Sequence, residues 1–525
     1  MKYPNGDSNI CDTRFKRPGI WGVIILAVLI TACGVGPENA QTSAADSISI
    51  PELRDHMYFL ASDALEGRMP GETGYDVAAE YCASQFRQAG LVPICLDEDG
   101  NKTYLQQVDI IEKLKREDSE LRIETKDNLQ SLRYGDDFFF ESPGVQEKIE
   151  LSGTMVFVGY GIHEPDHGWD DYEGIDVKGK WVVYMFGDPV DNGESVLPEE
   201  LAKSYSSGTE GYQKKGRTAF EAGALGVVVV YNQWRFQMWD VLKHARRAQY
   251  SLPNHDPLFQ RPCVEVMINK KPLSRLFQGR PYNPVTQKGD YSSFAMDDVV
   301  LSLDARCTIG EIQSANVVAM VEGTDPKIRD KYVTVGAHLD HVGHEEGVVF
   351  NGADDDASGC VAILEAAEAV AMDPPGHSVI FILYTGEEML FMGSQHFVLN
   401  PPVPLESIRA NINLDMVGRP DGAARELAAN VGGEKASALR EIISDVNKRN
   451  TRLRLDYAYD QYFMMSDQVS FYLAGVPVVF FINGDHADIH KPTDDADKID
   501  YDFLKKTSQL TYFLIMELGS FVYLN

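Results

Sequence analysis

Two histidines and three carboxylates between residues 338 and 490 have the types and settings to hold a pair of metal ions. His338 stands in Val335-Gly336-Ala337-His338-Leu339-Asp340, and Asp355 in Asn351-Gly352-Ala353-Asp354-Asp355-Asp356-Ala357-Ser358-Gly359. Glu388 follows Glu387 in Thr385-Gly386-Glu387-Glu388, Asp415 lies in Asn413-Leu414-Asp415-Met416-Val417-Gly418, and His490 in Asp488-Ile489-His490-Lys491-Pro492. Nitrogen and oxygen ligands of this kind suit Zn²⁺ and need no cysteine. Asp355 is expected to bridge, with His338 and Glu388 on one ion and Asp415 and His490 on the other. Two ions about 3.5–4 Å apart can hold a hydroxide between them and polarise a carbonyl. Adjacent side chains diverge, so Glu387 is left to take up a proton as general base. Asp340 is placed to accept the second imidazole N–H of His338 and fix its tautomer. Singly, each residue has a plain reading as a turn, a helix cap or a solvated charge. Their joint occurrence points to metal-assisted hydrolysis.

Such a set needs a scaffold that brings distant loops to one edge. From Asn316 onward, strands are predicted at 316–321, 332–337, 378–384, 410–414 and 476–482, and helices at 358–371, 393–399, 434–449, 466–474 and 501–520. Buried strands alternating with amphipathic helices imply a mixed, mostly parallel sheet covered on both faces. Ligands gather beyond the carboxyl ends of such strands. His338, Glu388 and Asp415 each fall just after a predicted strand, Asp355 precedes a helix, and His490 follows the last strand. Upstream, Ile50 to Pro93 reads as helix, loop (60–74) and helix, with Ala78, Ala79, Cys82 and Phe86 on one face. Residues 153–231 read as strands around a helix at 211–224, residues 233–262 as a surface excursion or lid, and 263–268 as a further strand.

The motifs at His338-Leu339-Asp340, 351–359, Gly386-Glu387-Glu388, 413–419 and His490-Lys491-Pro492-Thr493-Asp494, together with the 60–74 loop, resemble those of the co-catalytic di-zinc exopeptidases of metallopeptidase family twenty-eight. The resemblance implies a zinc-exopeptidase fold binding two zinc ions. His338, Asp355, Glu388, Asp415 and His490 would be the ligands, Glu387 the acid/base and Asp340 a supporting partner. It also implies a cis peptide between Asp355 and Asp356. Asp170 to Lys180 and Glu221 to Gly226 are similar to turns of a protease-associated (PA) domain, a smaller β-rich α/β insert. One departure matters: where the family often has Ser-Asp-His or Ser-Asp-Tyr, this chain has Ser466-Asp467-Gln468. That leaves the oxyanion donor open, with Tyr462 the nearest candidate for an oxyanion or substrate contact. The activity implied is an aminopeptidase acting on peptides. The alternatives are a carboxypeptidase, dipeptidase or glutaminyl-cyclase-type reaction on the same site, or a non-catalytic binding lipoprotein.

The N-terminus reads as an address. Lys2, Arg14, Lys16 and Arg17 precede an apolar run from Ile20 to Ile30, too short to span a bilayer comfortably. Ile30-Thr31-Ala32-Cys33-Gly34 resembles a lipobox, with Cys33 the lipidated residue. The expected organisation is therefore signal and lipobox (1–33), tether (34–47), N-terminal part of the peptidase (48–140), PA-like insert (141–300) and catalytic core (301–525). The protein would be an exported bacterial lipoprotein at the periplasm or cell surface, touching the membrane through its lipid alone. A net charge of −31 over 525 residues argues against nucleic acid as partner. Seven cysteines without a CxxC pair suit buried free thiols better than a disulfide framework, although Cys82 and Cys95 could pair.

Overall fold

The computed structural model describes residues 43–191, 194–206, 208–231, 236–239, 242–243, 246–253, 261–420, 424–433, 435–458 and 462–521. Cys33 lies outside them. The expected tether is shorter than read: residues 43–47 are helical, with Ala44 and Ala45 buried in the main core. Two apolar side chains one residue apart on a helical turn anchor the segment where small polar residues had suggested a linker.

Helix α1 (Ile50–Leu60) starts at Ser49, whose hydroxyl accepts from Glu52 N–H at 3.3 Å, and has a proline in its first turn. After α2 (Thr73–Gln88) comes a run of strands: β1 (Leu105–Lys115), β2 (Glu120–Thr125), β3 (Asn128–Arg133), β4 (Phe138–Glu141), β5 (Lys148–Phe157) and β6 (Trp181–Met185). Helix α3 (Gly208–Glu221), β7 (Gly226–Val230), β8 (Ala248–Ser251) and β9 (Glu265–Ile268) follow. Strands β5, β6, β7 and β9 pair in parallel, and β4 closes that edge antiparallel to β9.

Strand β10 (Phe294–Val321) is 28 residues long and belongs to both sheets. Its first part pairs with β2 and β5, its later part with β1 and then β12 (below). The expected boundary at residue 300 therefore cuts a continuous strand, and the second sheet begins at residue 120 rather than 141. This second region has its own apolar core, made entirely from residues 121–307.

The remaining elements are β11 (Tyr332–His338), α4 (Ser358–Met372), β12 (Ser378–Tyr384), α5 (Met392–Leu399), β13 (Ile408–Leu414), β14 (Glu426–Gly432), α6 (Ala436–Arg449), α7 (Gln468–Leu473), β15 (Val478–Ile482) and α8 (Tyr501–Phe521). The sheet order is β10-β12-β11-β13-β15-β14, parallel over its central four strands and antiparallel at β10 and β14. Strand β14 was not anticipated. Its small residues (Ala428, Ala429, Gly432) gave little β signal, and pairing with β15 recruits it.

The central strands are buried on both faces, as parallel strands under helices must be. Along β12, Val379, Phe381 and Leu383 face the core under α1, α2, α4 and α8, while Ile380, Ile382 and Tyr384 face Phe397 of α5 and Phe471 of α7. The five cysteines in the described residues are buried free thiols. Among those residues, no helix is long and apolar enough to cross a membrane.

Candidate metal centre

The five residues expected as ligands converge beyond the carboxyl ends of the parallel strands. His338 ends β11 in register with Tyr384 at the end of β12. Asp415 follows β13 directly, its N–H donating to Phe481 O at 3.1 Å. Glu388 lies in the loop between β12 and α5, and His490 in the loop after β15, in the left-handed region at φ 49°.

Four polar brackets hold these loops. Arg68, fully buried, donates to Leu60 O, Leu339 O, Asn351 O and Gly352 O at 2.6–3.0 Å, tying the 60–74 loop to the two segments that carry His338 and Asp355. Asp494 accepts from the N–H groups of Asp354 and Asp355 at 2.9 and 3.1 Å. Asp356 accepts from the N–H groups of His338, Gly359 and Met416 at 3.2, 2.9 and 3.0 Å. Asp356 stands beside His338 and Asp415, but its oxygens already serve the backbone. Asp340 accepts from Glu387 N–H and Glu388 N–H at 3.1 and 3.3 Å. That differs from expectation: the acceptor facing His338 Nδ1 is the backbone carbonyl of Asp340, at 3.0 Å, while its carboxylate is 3.9 Å away. Two loop N–H groups beyond β12 need an acceptor, and the Asp340 side chain meets that need. Gly352 sits at φ 55°, where a Cβ would come within 2.5 Å of the His341 ring. The Asp355–Asp356 peptide is cis.

The pairing of the ligand groups also differs from expectation. His338 Nε2 is 3.2 Å from Asp355 Oδ1 and 3.6 Å from Asp415 Oδ1. His490 Nε2 is 3.0 Å from Asp355 Oδ2 and 3.1 Å from Glu388 Oε1. Asp355 thus turns one oxygen to each pair, but His338 goes with Asp415 and Glu388 with His490. Asp415 stands at the level of His338 on the neighbouring strand, whereas the loop after β12 carries Glu388 over towards His490.

One residue at this site was missed. His341, three residues past His338, is fully buried, with Nδ1 3.0 Å from Glu388 Oε1. A second histidine in the same short loop was its only sequence signal. Tyr462 packs beside Ile489 against Met416 and Phe480, and its hydroxyl lies 3.4 Å from Asp485 N. Gln468 is buried, accepting from Asn413 at 3.0 Å and donating to Phe463 O at 2.8 Å. On the other side, Leu252 from the expected lid segment packs with Met389, the residue after Glu388.

Carboxylates outnumber cations here, and the proton affinities follow. Burial lowers His490, but Glu388 and Asp355 outweigh it and push the imidazole up to about 11. Burial lifts Glu387 well above the usual carboxylate range; Glu388, Asp415 and Asp467 add to this and His338 opposes it. Asp467 is raised to about 8 by burial first, with Asp340 and Asp415 adding. His338 Nε2, His341 Nδ1, Glu388 Oε1 and Asp415 Oδ1 are buried without a hydrogen-bond partner among the described residues. Orphaned donors that crowd together within two groups are what divalent ions would satisfy.

Residues 316–515 match the family model described as Peptidase family M28. The chain is 30% identical over 173 residues to a probable leucine aminopeptidase 2 of Aspergillus oryzae, covering 31% of this chain and 32% of that one. It is 35% identical over 125 residues to an aminopeptidase of Pseudomonas aeruginosa, covering 24% and 22%. The matched stretches thus span a third or less of those two relatives. Among solved structures, an aminopeptidase from Aneurinibacillus sp. strain AM-1 superposes with a TM-score of 0.57 at 18% identity, over 90% of this chain and 95% of that one. The α/β region of this protein has the M28 peptidase fold.

Proposed function

We propose that this protein is a two-zinc exopeptidase that removes N-terminal residues from peptides. The observation that carries the reading is the convergence of His338, Asp415, Asp355, Glu388 and His490 with Glu387 beside them. Asp355 would be shared by two ions, with His338 and Asp415 on one side and Glu388 and His490 on the other. When bound, such ions supply Lewis acidity for a substrate carbonyl and acidify a water. Glu387 accepts the proton released from that water and returns it to the leaving amine. Burial and neighbouring carboxylates raise its proton affinity in the direction an acid/base at neutral pH requires. Asp340 positions Glu387 and Glu388 through their backbone N–H groups. Tyr462, beside the His490 loop, is the candidate for steadying the oxyanion.

The choice of the substrate's amino end over its carboxyl end rests on the basic groups. A carboxypeptidase needs a cation free for the terminal carboxylate. Arg419 is bound to Asp488 at 2.8 Å and to Asp494 at 3.4 Å, and Lys491 Nζ donates to Ala487 O. The acidic surroundings suit an amine instead. The insert expected at 141–300, with its sheet beginning at residue 120, is the PA-like unit in this reading, and the segment around Leu252 limits access past Met389. Residues 1–33 export the chain and Cys33 carries the lipid.

The test is hydrolysis of aminoacyl chromogenic amides, N-acetylated peptides and peptides with a free carboxylate by the zinc-loaded full chain, with Glu387→Gln as control. Cleavage confined to free-amine substrates and lost in the variant is expected. Cleavage that requires a free carboxylate, or that survives in E387Q, overturns the reading.

A further inference from the structure

His341 has no place in the five-ligand scheme, yet its surroundings are those of a ligand. The ring is fully buried, and neither nitrogen has a hydrogen-bond partner among the described residues. An imidazole held so, with nothing to satisfy it, is costly. Its Nδ1 stands close to two carboxylates all the same: Glu388 Oε1 lies at 3.0 Å and Asp355 Oδ2 at 3.8 Å. His490 Nε2 lies 3.0 and 3.1 Å from the same two carboxylates. These four groups form one cluster. Four donors at about 2.0–2.1 Å from one tetrahedral zinc stand roughly 3.3–3.4 Å apart. The four imidazole–carboxylate separations, 3.0 to 3.8 Å, bracket that spacing.

The backbone that carries the ring is also held from outside the cluster. His341 N–H donates to Arg68 O at 3.2 Å, and Gly352 gives the ring room that a side chain would fill.

We propose that His341 Nδ1 is a fourth protein ligand on the Glu388 and His490 side, so that the two metal positions are unequal. This rests on the two-metal reading above and deepens it. One position has four protein donors, His341, Asp355, Glu388 and His490, and is closed in the manner of structural zinc sites. The other has three, His338, Asp355 and Asp415, and keeps the open place that catalytic sites keep. The four-donor position fills first and holds its ion more tightly. The three-donor position is the one through which ion supply sets activity.

The test is zinc titration of the chelated full chain, with X-ray absorption spectra at one and two equivalents. The expected result is two bound ions of unequal affinity, with two imidazoles on the first. His341→Asn should weaken the tighter ion by more than the roughly 10–100-fold that loss of a mere supporting hydrogen bond costs. Two bound ions with one imidazole on the first overturn the assignment of His341 and leave the two-metal reading standing. Failure to bind zinc at all overturns both. The spectra of the unaltered protein decide the question even if the variant does not fold.

Discussion

Glu141 in the second sheet and Asp355 at the ends of the parallel strands are both buried carboxylates, and their company differs. Glu141 accepts from Lys115 Nζ at 2.9 Å and lies 3.2 Å from Arg246 Nη1, while Lys115 also donates to Arg246 O. Burial raises Glu141, but Lys115, Arg246 and Arg261 outweigh it and the net shift is downward. Charge is balanced there by covalently attached cations. Around Asp355 stand Asp340, Asp354, Asp356, Glu387, Glu388 and Asp415, and the buried cation nearby, Arg68, points its donors at backbone carbonyls. The first arrangement carries its own cations for Glu141 and serves stability. The second is short of positive charge, which protons or divalent ions must supply.

The largest effect that would break this contrast is in the site. Glu387→Gln should lower kcat by about 10²–10⁴-fold with two zinc ions still bound, since in the proposed function Glu387 moves a proton and is not a ligand. Steady-state rates with metal analysis check this, and loss of an ion would make Glu387 a ligand instead. In the second sheet the expectation is reversed. Lys115→Met should cost about 3–5 kcal/mol of stability by stranding Glu141, and leave kcat of the folded protein for the proposed reaction unchanged. Urea unfolding beside activity separates the two, and an unchanged midpoint would show that Arg246 suffices alone.

The two regions should also answer pH in opposite senses. Burial first raises Asp340 to about 6 and Asp467 to about 8. A carboxyl raised on folding stabilises below its unfolded pKa and loses that contribution as pH rises through the folded value. The chelated protein should therefore melt at lower temperature as pH climbs from 5 to 9. Zinc should flatten the slope, because the ions replace the protons. Glu141, held low, contributes above its unfolded pKa and loses that contribution as pH falls through its folded value. Calorimetry with and without zinc sharpens the comparison; a chelated protein that gains stability with rising pH would undo it. The smallest effect belongs to Gln468→Ala, which removes the partners of Asn413 and Phe463 O for about 1–2 kcal/mol by chemical unfolding. A larger drop in kcat than in stability would mean that Gln468 reaches the reaction through the Tyr462 loop.

The ligand loops were legible because each apolar strand ends in a short polar motif, and the core strands β11, β12, β13 and β15 lie where periodicity places them. The pairing of ligands was not legible. His338 stands on a strand flanked by those preceding both Glu388 and Asp415, so strand order allows either partner. Loop reach decides, and residue types do not encode it. Asp340 was placed beside the imidazole correctly and given the wrong contact, because the unsatisfied N–H groups of Glu387 and Glu388 arise only once the loop is built. The limits of the second region failed at residue 300 because one strand serves two sheets, and composition does not change where a strand changes partners.

Arg68 carries a consequence for how the molecule is made. Its acceptors Leu339, Asn351 and Gly352 follow it by 271 to 284 residues, and it stands far ahead of the stretch 316–515 that matches the peptidase family. During synthesis the guanidinium leaves the ribosome with Leu60 O already made, and long before its other three acceptors exist. The loops of the candidate site, when they emerge, set against one another and also against this earlier segment. A piece cut to the family match would hold every candidate ligand and lack one of the four clasps that fix where they meet.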